Sequence, residues 1–232
     1  MNDVLVNASL LAIIPQSSQI HTLRLDVSLP FKPGQSLQIT FPGDPKKRHY
    51  SISSSPTEGA YVEITVKSEA GSALEKALEG LKTGDTLEIA GPMGGSLSLP
   101  DPIQESLAFI AAGTGVTPFR SMIHYLIDRN VPVDFWLFHS VRAQTDLLFA
   151  LHFGTWSATH KNFHYVPTIT RDFDATWKNE TGRINETLVR KHITAHPCTY
   201  LLCGPAAFVS DMERTLLENL QVPAEKIRRE KW

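Results

Sequence analysis

Up to about Leu99, apolar and polar residues alternate over short runs, as in LRLDV (residues 23–27) and VEITVK (residues 62–67). A period of two is typical of strands in antiparallel sheets. Turn-forming stretches recur between these runs at PFKPGQ, PGDPKK and SPTEGA, and their close spacing favours a small closed barrel. From Ser72 onward, leucine and alanine recur at helical spacing, which predicts one helix within the barrel.

After SLPDPIQES the pattern changes to apolar strands that alternate with amphipathic helices, which predicts a parallel sheet covered on both faces. The candidate strands are LAFIAA, VDFWLFH, FHYVPTI and TYLLC. One stripe of a helix after CGPAA is marked by Phe208, Met212, Leu216 and Leu220. We therefore predict two domains, an antiparallel β-barrel over residues 1–100 and an α/β domain with a parallel sheet over residues 101–232.

The composition of the chain limits the classes of partner that we expect it to bind. The chain has 232 residues, of which 42% are hydrophobic, enough for two domains with their own cores. Lys plus Arg number 22 and Asp plus Glu 24, a formal charge of −2, so we expect no nucleic-acid partner. The start of the sequence lacks a basic signal region and no stretch is long and apolar enough for a bilayer span, which favours a cytoplasmic protein without membrane insertion.

Cysteines and histidines limit the metal chemistry. An iron–sulfur cluster usually needs four thiolates, and the chain has only Cys198 and Cys203, so we expect any such cluster on a partner protein. A disulfide between the two is disfavoured in a reducing compartment. The histidines of HKNFH (residues 160–164) fall on a predicted helix end and a predicted strand, so we expect no metal site.

The segment FIAAGTGVTPFRSM (residues 109–122) joins a predicted strand to a predicted helix. Gly113 and Gly115 permit positive φ and a close backbone approach, and Thr117 followed by Pro118 suits the N-cap and first position of the helix. The open amides at such a helix start suit a pyrophosphate. Tight packing of helix against strand is the alternative. Pro118 occupies the third glycine position of GxGxxG, so this is not an ordinary Rossmann dehydrogenase.

At the end of the next strand the sequence reads FHSVRAQTD, with Ser140 and Arg142 where an ordinary dinucleotide-binding enzyme has an acidic residue. A guanidinium here would contact a 2′-phosphate, which slightly favours NADPH over NADH. A solvated surface arginine is the alternative reading of Arg142.

Four segments occur in order along the chain: RHYSISS (residues 48–54), GPMGG (91–95), GTGVTP (113–118) and CGP (203–205). Together they resemble the ferredoxin–NADP reductase superfamily, including its order of barrel and then α/β domain. The resemblance implies a flavin-binding barrel, an NAD(P)-binding α/β domain and a flavin-dependent NAD(P)H oxidoreductase. It implies FAD, with FMN also compatible, and NADPH or NADH as the electron donor.

On the flavin side, the resemblance assigns Arg48 to a flavin phosphate, Tyr50 to the face of the isoalloxazine ring and Ser51 to a hydrogen bond near flavin N5. VKSEAGSALEKAL resembles the phosphate-binding segment, whose candidates are Lys67, Gly71 and Ser72. Here the chain departs from the pattern, because Gly71 and Ser72 are adjacent where the family commonly spaces them by two residues. Lys67 is equally compatible with a solvated charge at a strand end.

On the nicotinamide side, the CGP turn implies that Cys203 lies beside nicotinamide C4 as a positioning group and not as a nucleophile. A buried cysteine with a packing role is the alternative. The C-terminal EKW implies that Trp232 covers the flavin and that Ser51, Cys203 and Glu230 frame the reacting atoms; an untethered Trp232 is the alternative. The dinucleotide-contacting residues implied are Gly113, Thr114, Gly115, Thr117, Pro118, Ser140, Arg142, Cys203, Gly204 and Pro205.

The electron acceptor is left open by the sequence. The resemblance implies a separate ferredoxin, flavodoxin or oxygenase component, or a small molecule. The basic stretches PKKR and KIRREK suit an acidic carrier, with Lys46, Lys226 and Arg229 as candidates for docking. A reductase of free flavin and a non-catalytic flavin or nucleotide sensor are the alternative functions.

Overall fold

The computed structural model describes residues 5–172, 174–194 and 198–231. The chain forms two compact units. The first comprises the chain up to Leu99 together with Thr117–Arg129, and the second comprises Pro100–Val116 and the chain from Asn130 onward. The predicted domain limits of 1–100 and 101–232 stay a prediction, and the assignment of Thr117–Arg129 to the first unit was not anticipated.

The first unit contains a six-stranded antiparallel sheet, with the strand order β4-β3-β6-β1-β2-β5. Its strands are β1 (Leu5–Ser17), β2 (Ile20–Asp26), β3 (Ser36–Phe41), β4 (Asp44–Ser51), β5 (Val62–Lys67) and β6 (Thr86–Met93). A single bridge between Ile52 and Ile64 links the end of β4 to β5. The predicted antiparallel barrel is thus present as a curled sheet whose two edges meet at one bridge.

Two helices belong to the first unit, α1 (Ala73–Gly80) and α2 (Thr117–Asp128). Helix α1 occupies the place predicted from the spacing after Ser72, and Leu74 is its buried residue. The alternation in β5 predicts one buried and one exposed face, but every residue from Val62 to Val66 is buried. Arg120 of α2 pairs with Glu63 of β5, so the charged residue on the polar face of this strand is buried in an ion pair.

The second unit contains a sheet with the order β10-β9-β8-β7-β11-β12, and all its pairings are parallel. Its strands are β7 (Ser106–Ala112), β8 (Phe135–Ala143), β9 (Phe163–Asp172), β10 (Glu180–Thr181), β11 (Cys198–Gly204) and β12 (Ile227–Lys231). Its helices are α3 (Ala150–Thr159), α4 (Glu186–His192) and α5 (Ala206–Arg214).

All four predicted strands of the second half are confirmed as β7, β8, β9 and β11. Strands β7 and β11 are almost wholly buried, as expected of central parallel strands. The helix predicted after CGPAA is also present, but the α-helical part ends at Arg214 and a π-helical turn follows over Thr215–Asn219. Leu216 is buried within that turn.

Candidate functional site

Arg48, Tyr50 and Ser51 lie on β4, which pairs with β3 so that Arg48 faces Ile39 and Ser51 faces Ser36. The Arg48 guanidinium donates to the Asp44 carboxylate at 2.7 Å and to the Lys46 carbonyl at 3.2 Å. Burial raises the pKa of Asp44, but the Lys46 amide and the Arg48 charge outweigh it and hold this pKa below its ordinary value. Asp44, which the sequence analysis missed, therefore holds the predicted phosphate-binding arginine in place.

Tyr50 combines a packed ring with an unsatisfied hydroxyl. The ring meets Phe41 edge-on, with centroids 6.1 Å apart and planes at 81°. The hydroxyl is buried and has no hydrogen-bond partner within residues 5–172, 174–194 and 198–231. Burial raises the pKa of Tyr50 to about 12, so the phenol stays neutral and able to donate. A buried hydroxyl of this kind is expected to find a partner, and a ligand with polar groups beside β4, such as a flavin, supplies one.

The predicted phosphate-binding segment already has internal partners. The Gly71 amide, at φ +76°, donates to the Glu75 carboxylate at 2.6 Å, and the Ser72 hydroxyl caps α1 by accepting from the Glu75 amide at 3.1 Å. Lys67 is exposed at the end of β5. A phosphate at Gly71 would have to displace a carboxylate of the same charge. Glu75 was missed, although S-x-x-E is a readable capping-box signal.

The glycine turn follows β7 directly as a 3₁₀ turn over Gly113–Val116, and α2 continues from it. Gly113 has φ +55°, and a Cβ built on it would meet no heavy atom within 4 Å. Thr117 and Pro118 were predicted to cap and begin the helix. The α-helix does begin at Thr117, but the 3₁₀ turn over Gly113–Val116 precedes it, and both Thr117 and Pro118 are buried within α2. Gly113, Thr114 and Gly115 thus precede Thr117 at the start of the helical backbone.

His139 of β8 supports this turn and was not predicted. Its ring is fully buried, and Nε2 lies 3.0 Å from the Gly113 carbonyl oxygen. Burial lowers the pKa of His139 to about 4, so the ring is neutral at physiological pH. Since the carbonyl can only accept, the neutral ring carries its proton on Nε2 and donates to Gly113. Nδ1 is buried without a partner among the residues that the structure describes.

Strand β11 brings the CGP turn to the same edge of the sheet as the glycine turn. It pairs in parallel with β7, with Cys203 beside Ala111, while β8 pairs with the other side of β7. Chain order therefore reverses between β7 and β11, and ligands of α/β sheets bind at such a switch point beyond the carboxyl ends of the strands. Gly204 allows close packing there, since a Cβ on it would lie 3.0 Å from Phe208 and 3.2 Å from the Ala112 side chain.

Cys203 and Glu230 are paired across β11 and β12. Cys203 is buried, and both burial and the Glu230 charge raise the pKa of its thiol well above the ordinary value. Burial also raises the pKa of Glu230. A thiol in this setting stays protonated and is a poor nucleophile, and the positioning role of Cys203 stays a prediction. Trp232, predicted to cover the flavin, lies outside the described residues.

Ser140 and Arg142 lie near the carboxyl end of β8. Ser140 is half-buried between Ala112 of β7 and Thr168 of β9 in the strand register, and the Arg142 side chain is exposed. Pro205 is exposed at the start of α5. These residues share the edge that carries the glycine and CGP turns, and their contacts with a dinucleotide stay predictions.

Two domain families match the chain in sequence. The oxidoreductase FAD-binding domain matches residues 10–96, and the oxidoreductase NAD-binding domain matches residues 109–214. The chain belongs to the ferredoxin–NADP reductase superfamily. The superfamily assignment confirms the predicted cofactor classes, FAD and a nicotinamide dinucleotide. The FAD-binding match contains Arg48, Tyr50 and Ser51, and the NAD-binding match contains the glycine turn, His139 and Cys203.

Several curated proteins are similar to this chain in sequence. The reductase component of phenol 2-monooxygenase from Pseudomonas sp. strain CF600 is 29% identical over 217 residues, covering 92% of this chain and 61% of that protein. The phenol hydroxylase P5 protein of Acinetobacter pittii is 30% identical over 202 residues, which cover 85% of this chain and 56% of that protein. The chain thus spans about three fifths of the length of these relatives.

The fold is also shared with a solved structure, the cytochrome P450 reductase GcoB of Amycolatopsis. The two superpose with a TM-score of 0.86 at 24% identity, over 100% of this chain and 71% of that one. Among the helices that the structure describes, none is long and apolar enough to cross a membrane. Within the same residues, no group of three or more His, Cys, Asp or Glu side chains is placed to hold a metal ion. Cys198 and Cys203 are both free thiols.

Proposed function

We propose that this superfamily member is a flavin-dependent NAD(P)H oxidoreductase that passes electrons from NADPH or NADH through bound FAD to a separate acceptor. The observation that carries the proposal is the order of the two matched domains, FAD-binding and then NAD-binding. Each match falls on a sheet with a site suited to its cofactor. The FAD site is the β4 segment with the buried Tyr50 hydroxyl, and the dinucleotide site is the β7–β11 edge with its two glycine turns.

The residues of each site have distinct tasks. Arg48, oriented by Asp44, would hold a flavin phosphate, and the Tyr50 hydroxyl would hydrogen-bond to the cofactor. At the edge of the second sheet, the 3₁₀ turn would present backbone amides to the dinucleotide phosphates, while His139 holds the carbonyl of its first residue, Gly113. Cys203 and Glu230 would exclude water and orient the nicotinamide. When bound, the flavin supplies the chemistry that links a two-electron donor to one-electron acceptors.

For the acceptor, we propose an oxygenase component, because both curated relatives described above belong by name to phenol-oxidising oxygenase systems. A ferredoxin or flavodoxin stays a second proposal. Among the predicted docking cations, Lys226 pairs with Glu105 at 2.6 Å and Arg229 with Glu213 at 3.0 Å, so their charges are partly compensated. Lys46 is exposed and is the better candidate for docking an acidic carrier. We also propose a cytoplasmic location, consistent with two free thiols.

Reduction of free flavin is a second candidate, favoured by one observation. The Gly71 amide and the Ser72 hydroxyl, predicted to hold the flavin diphosphate, are both engaged with Glu75. Fewer available donors favour a flavin that dissociates and serves as a substrate.

One experiment tests the proposed function. The protein is purified, dialysed and assayed anaerobically for NAD(P)H-driven reduction of ferricyanide without added flavin. We expect retained FAD and rapid ferricyanide reduction. A colourless protein that is active only with added FAD or FMN would favour the free-flavin reductase. Retained flavin without reduction by either dinucleotide would contradict the proposed oxidoreductase.

A further inference from the structure

Arg120 of α2 connects this helix to the segment that follows the predicted flavin-binding residues. Its side chain is buried, with 4% of the residue exposed. The guanidinium donates to the Ser53 carbonyl at 2.7 Å, to the two Glu58 carboxylate oxygens at 3.0 and 3.2 Å, and pairs with Glu63 at 3.2 Å. Three acceptors far from Arg120 in sequence thus converge on one cation.

Further ionisable side chains surround this cation. Glu63 also pairs with Arg24 at 2.8 Å, and Arg24 lies over the Tyr61 ring at 4.3 Å. Glu58 also lies 3.3 Å from His124, which in turn lies 3.5 Å from Asp128. Burial raises the pKa of Glu58, but His124 and Arg120 outweigh it and lower that pKa to about 2. The Glu58 carboxylate is therefore held ionised, and both glutamate side chains are largely buried.

Ser53 is two residues beyond Ser51, and its backbone is held on both sides. Its amide donates to the Glu63 carbonyl at 2.7 Å, and the preceding Ile52 forms the bridge to Ile64. The Ser55 amide donates to Glu58 at 2.5 Å, so the turn after Ser53 is fastened to the same carboxylate that binds Arg120. Movement of Arg120 would therefore be transmitted along the chain to Ser51 and Tyr50.

We propose that Arg120 is a positioning residue for the flavin, because it fixes the Ser53 carbonyl and neutralises Glu58 and Glu63 behind the Tyr50–Ser51 segment. Without the guanidinium, two buried carboxylates lose their common cation and the Ser53 carbonyl loses its donor. Breaking a buried pair by removing one partner is costly since the other charge stays buried. The segment then relaxes away from the flavin-binding position. The inference rests on FAD binding at β4 and adds a residue outside the matched FAD-binding domain.

The test measures FAD affinity and the visible circular dichroism of bound FAD in full-length variants, with apoprotein stability to urea recorded alongside. We expect Arg120→Met to weaken FAD binding at least tenfold and to alter the dichroism of the remaining holoprotein. Arg120→Lys, which keeps the charge but not the forked contact, should fall between the parent and Arg120→Met. The matched control is Arg129→Met directly after the end of α2, where the arginine is exposed, and its FAD affinity should stay within twofold of the parent.

A charge-compensated variant separates positioning from a general loss of structure. Arg120→Met combined with Glu58→Gln removes one orphaned carboxylate and should recover at least threefold in FAD affinity over Arg120→Met alone. Lowering the pH should likewise restore affinity in Arg120→Met but not in the parent, because Glu58 can then take up a proton. Parental affinity and dichroism in Arg120→Met, or in Arg120→Lys if Arg120→Met does not fold, would overturn the inference. A parent protein that binds no FAD would instead refute the flavin site itself.

Discussion

Cys203 on β11 and Glu230 on β12 occupy paired positions on adjacent parallel strands, and the Glu230 carboxylate affects the pKa of the Cys203 thiol. Burial and the neighbouring carboxylate raise the pKa of the thiol, and burial raises the pKa of the carboxyl group. The pair therefore presents a neutral thiol beside a carboxylate that protonates more readily than usual. Such a pair is suited to packing against a nicotinamide and not to covalent chemistry.

Replacing Cys203 by serine should lower the rate of flavin reduction by NAD(P)H by no more than about tenfold, the effect of one lost or altered contact. A nucleophile would instead lose nearly all activity. Stopped-flow measurement of flavin reduction in Cys203→Ser and Cys203→Ala checks this, with Cys198→Ser as the matched control for a buried cysteine. A loss of several orders of magnitude in Cys203→Ser would show that the thiol takes part chemically.

His139 makes stability depend on pH in a defined direction. Its pKa is about 4 in the folded protein, below the ordinary 6.5, so only the unfolded chain takes up a proton between these values. The stability from its neutral burial is complete above pH 6.5 and declines as the pH falls towards 4. At pH 5 the loss should be about 2 kcal/mol.

The variant His139→Gln keeps a donor for Gly113 but does not titrate. Urea unfolding at pH 7 and pH 5 should show the parent losing about 2 kcal/mol more than His139→Gln over this interval. Equal losses in the two proteins would mean that His139 is not buried in its neutral form. Because all other groups are common to both proteins, the difference isolates the imidazole.

Gly34 and Gly43 form a matched pair of positions that tests how closely the first unit is packed. Both have positive φ, +93° and +78°, but a Cβ on Gly34 would lie 2.0 Å from the Leu97 carbonyl oxygen whereas one on Gly43 would meet nothing within 4 Å. Gly34→Ala should cost about 3 kcal/mol from strain and overpacking together, and Gly43→Ala about 1 kcal/mol from strain alone. Urea unfolding measures both, and equal effects would contradict the close approach at Leu97.

Arg48 should carry much of the flavin affinity if it binds a phosphate. A charge-assisted hydrogen bond contributes about 1.5–3 kcal/mol, so Arg48→Ala should weaken FAD binding by roughly tenfold to a hundredfold. Titration of apoprotein with FAD by fluorescence measures this. Lys47→Ala, at the adjacent exposed position of β4, is the control and should change affinity little. An Arg48→Ala protein with parental affinity would remove Arg48 from the site.

Local periodicity predicted most of the architecture. Strand β5 and the four central strands of the second sheet follow from runs of apolar residues, and α1 follows from the spacing after Ser72. The Thr117–Pro118 pair predicted the start of the α-helix to within one residue, but the 3₁₀ turn over Gly113–Val116 that precedes it was not predicted. Capping residues indicate possible helix starts, but they do not show whether a further helical turn precedes them.

Polar pairs between residues far apart in the chain could not be predicted from the sequence. Arg120 lies in the quoted glycine segment, yet its partners Glu58 and Glu63 are 62 and 57 residues away, so nothing local indicates that α2 packs on the first sheet. The role of His139 could not be predicted from the segment FHSVR, because it depends on the neighbouring strand β7. Glu75 is the exception, since its capping spacing to Ser72 is visible in the sequence.

The central claim, that FAD bound to this chain is reduced by a nicotinamide dinucleotide, is tested most directly by an anaerobic titration of the purified holoprotein with NADPH and NADH in turn. The account predicts that the visible flavin absorbance bleaches with about one equivalent of at least one of the two dinucleotides, as expected for a two-electron donor. A flavin spectrum that stays oxidised in excess NADPH and in excess NADH would contradict it.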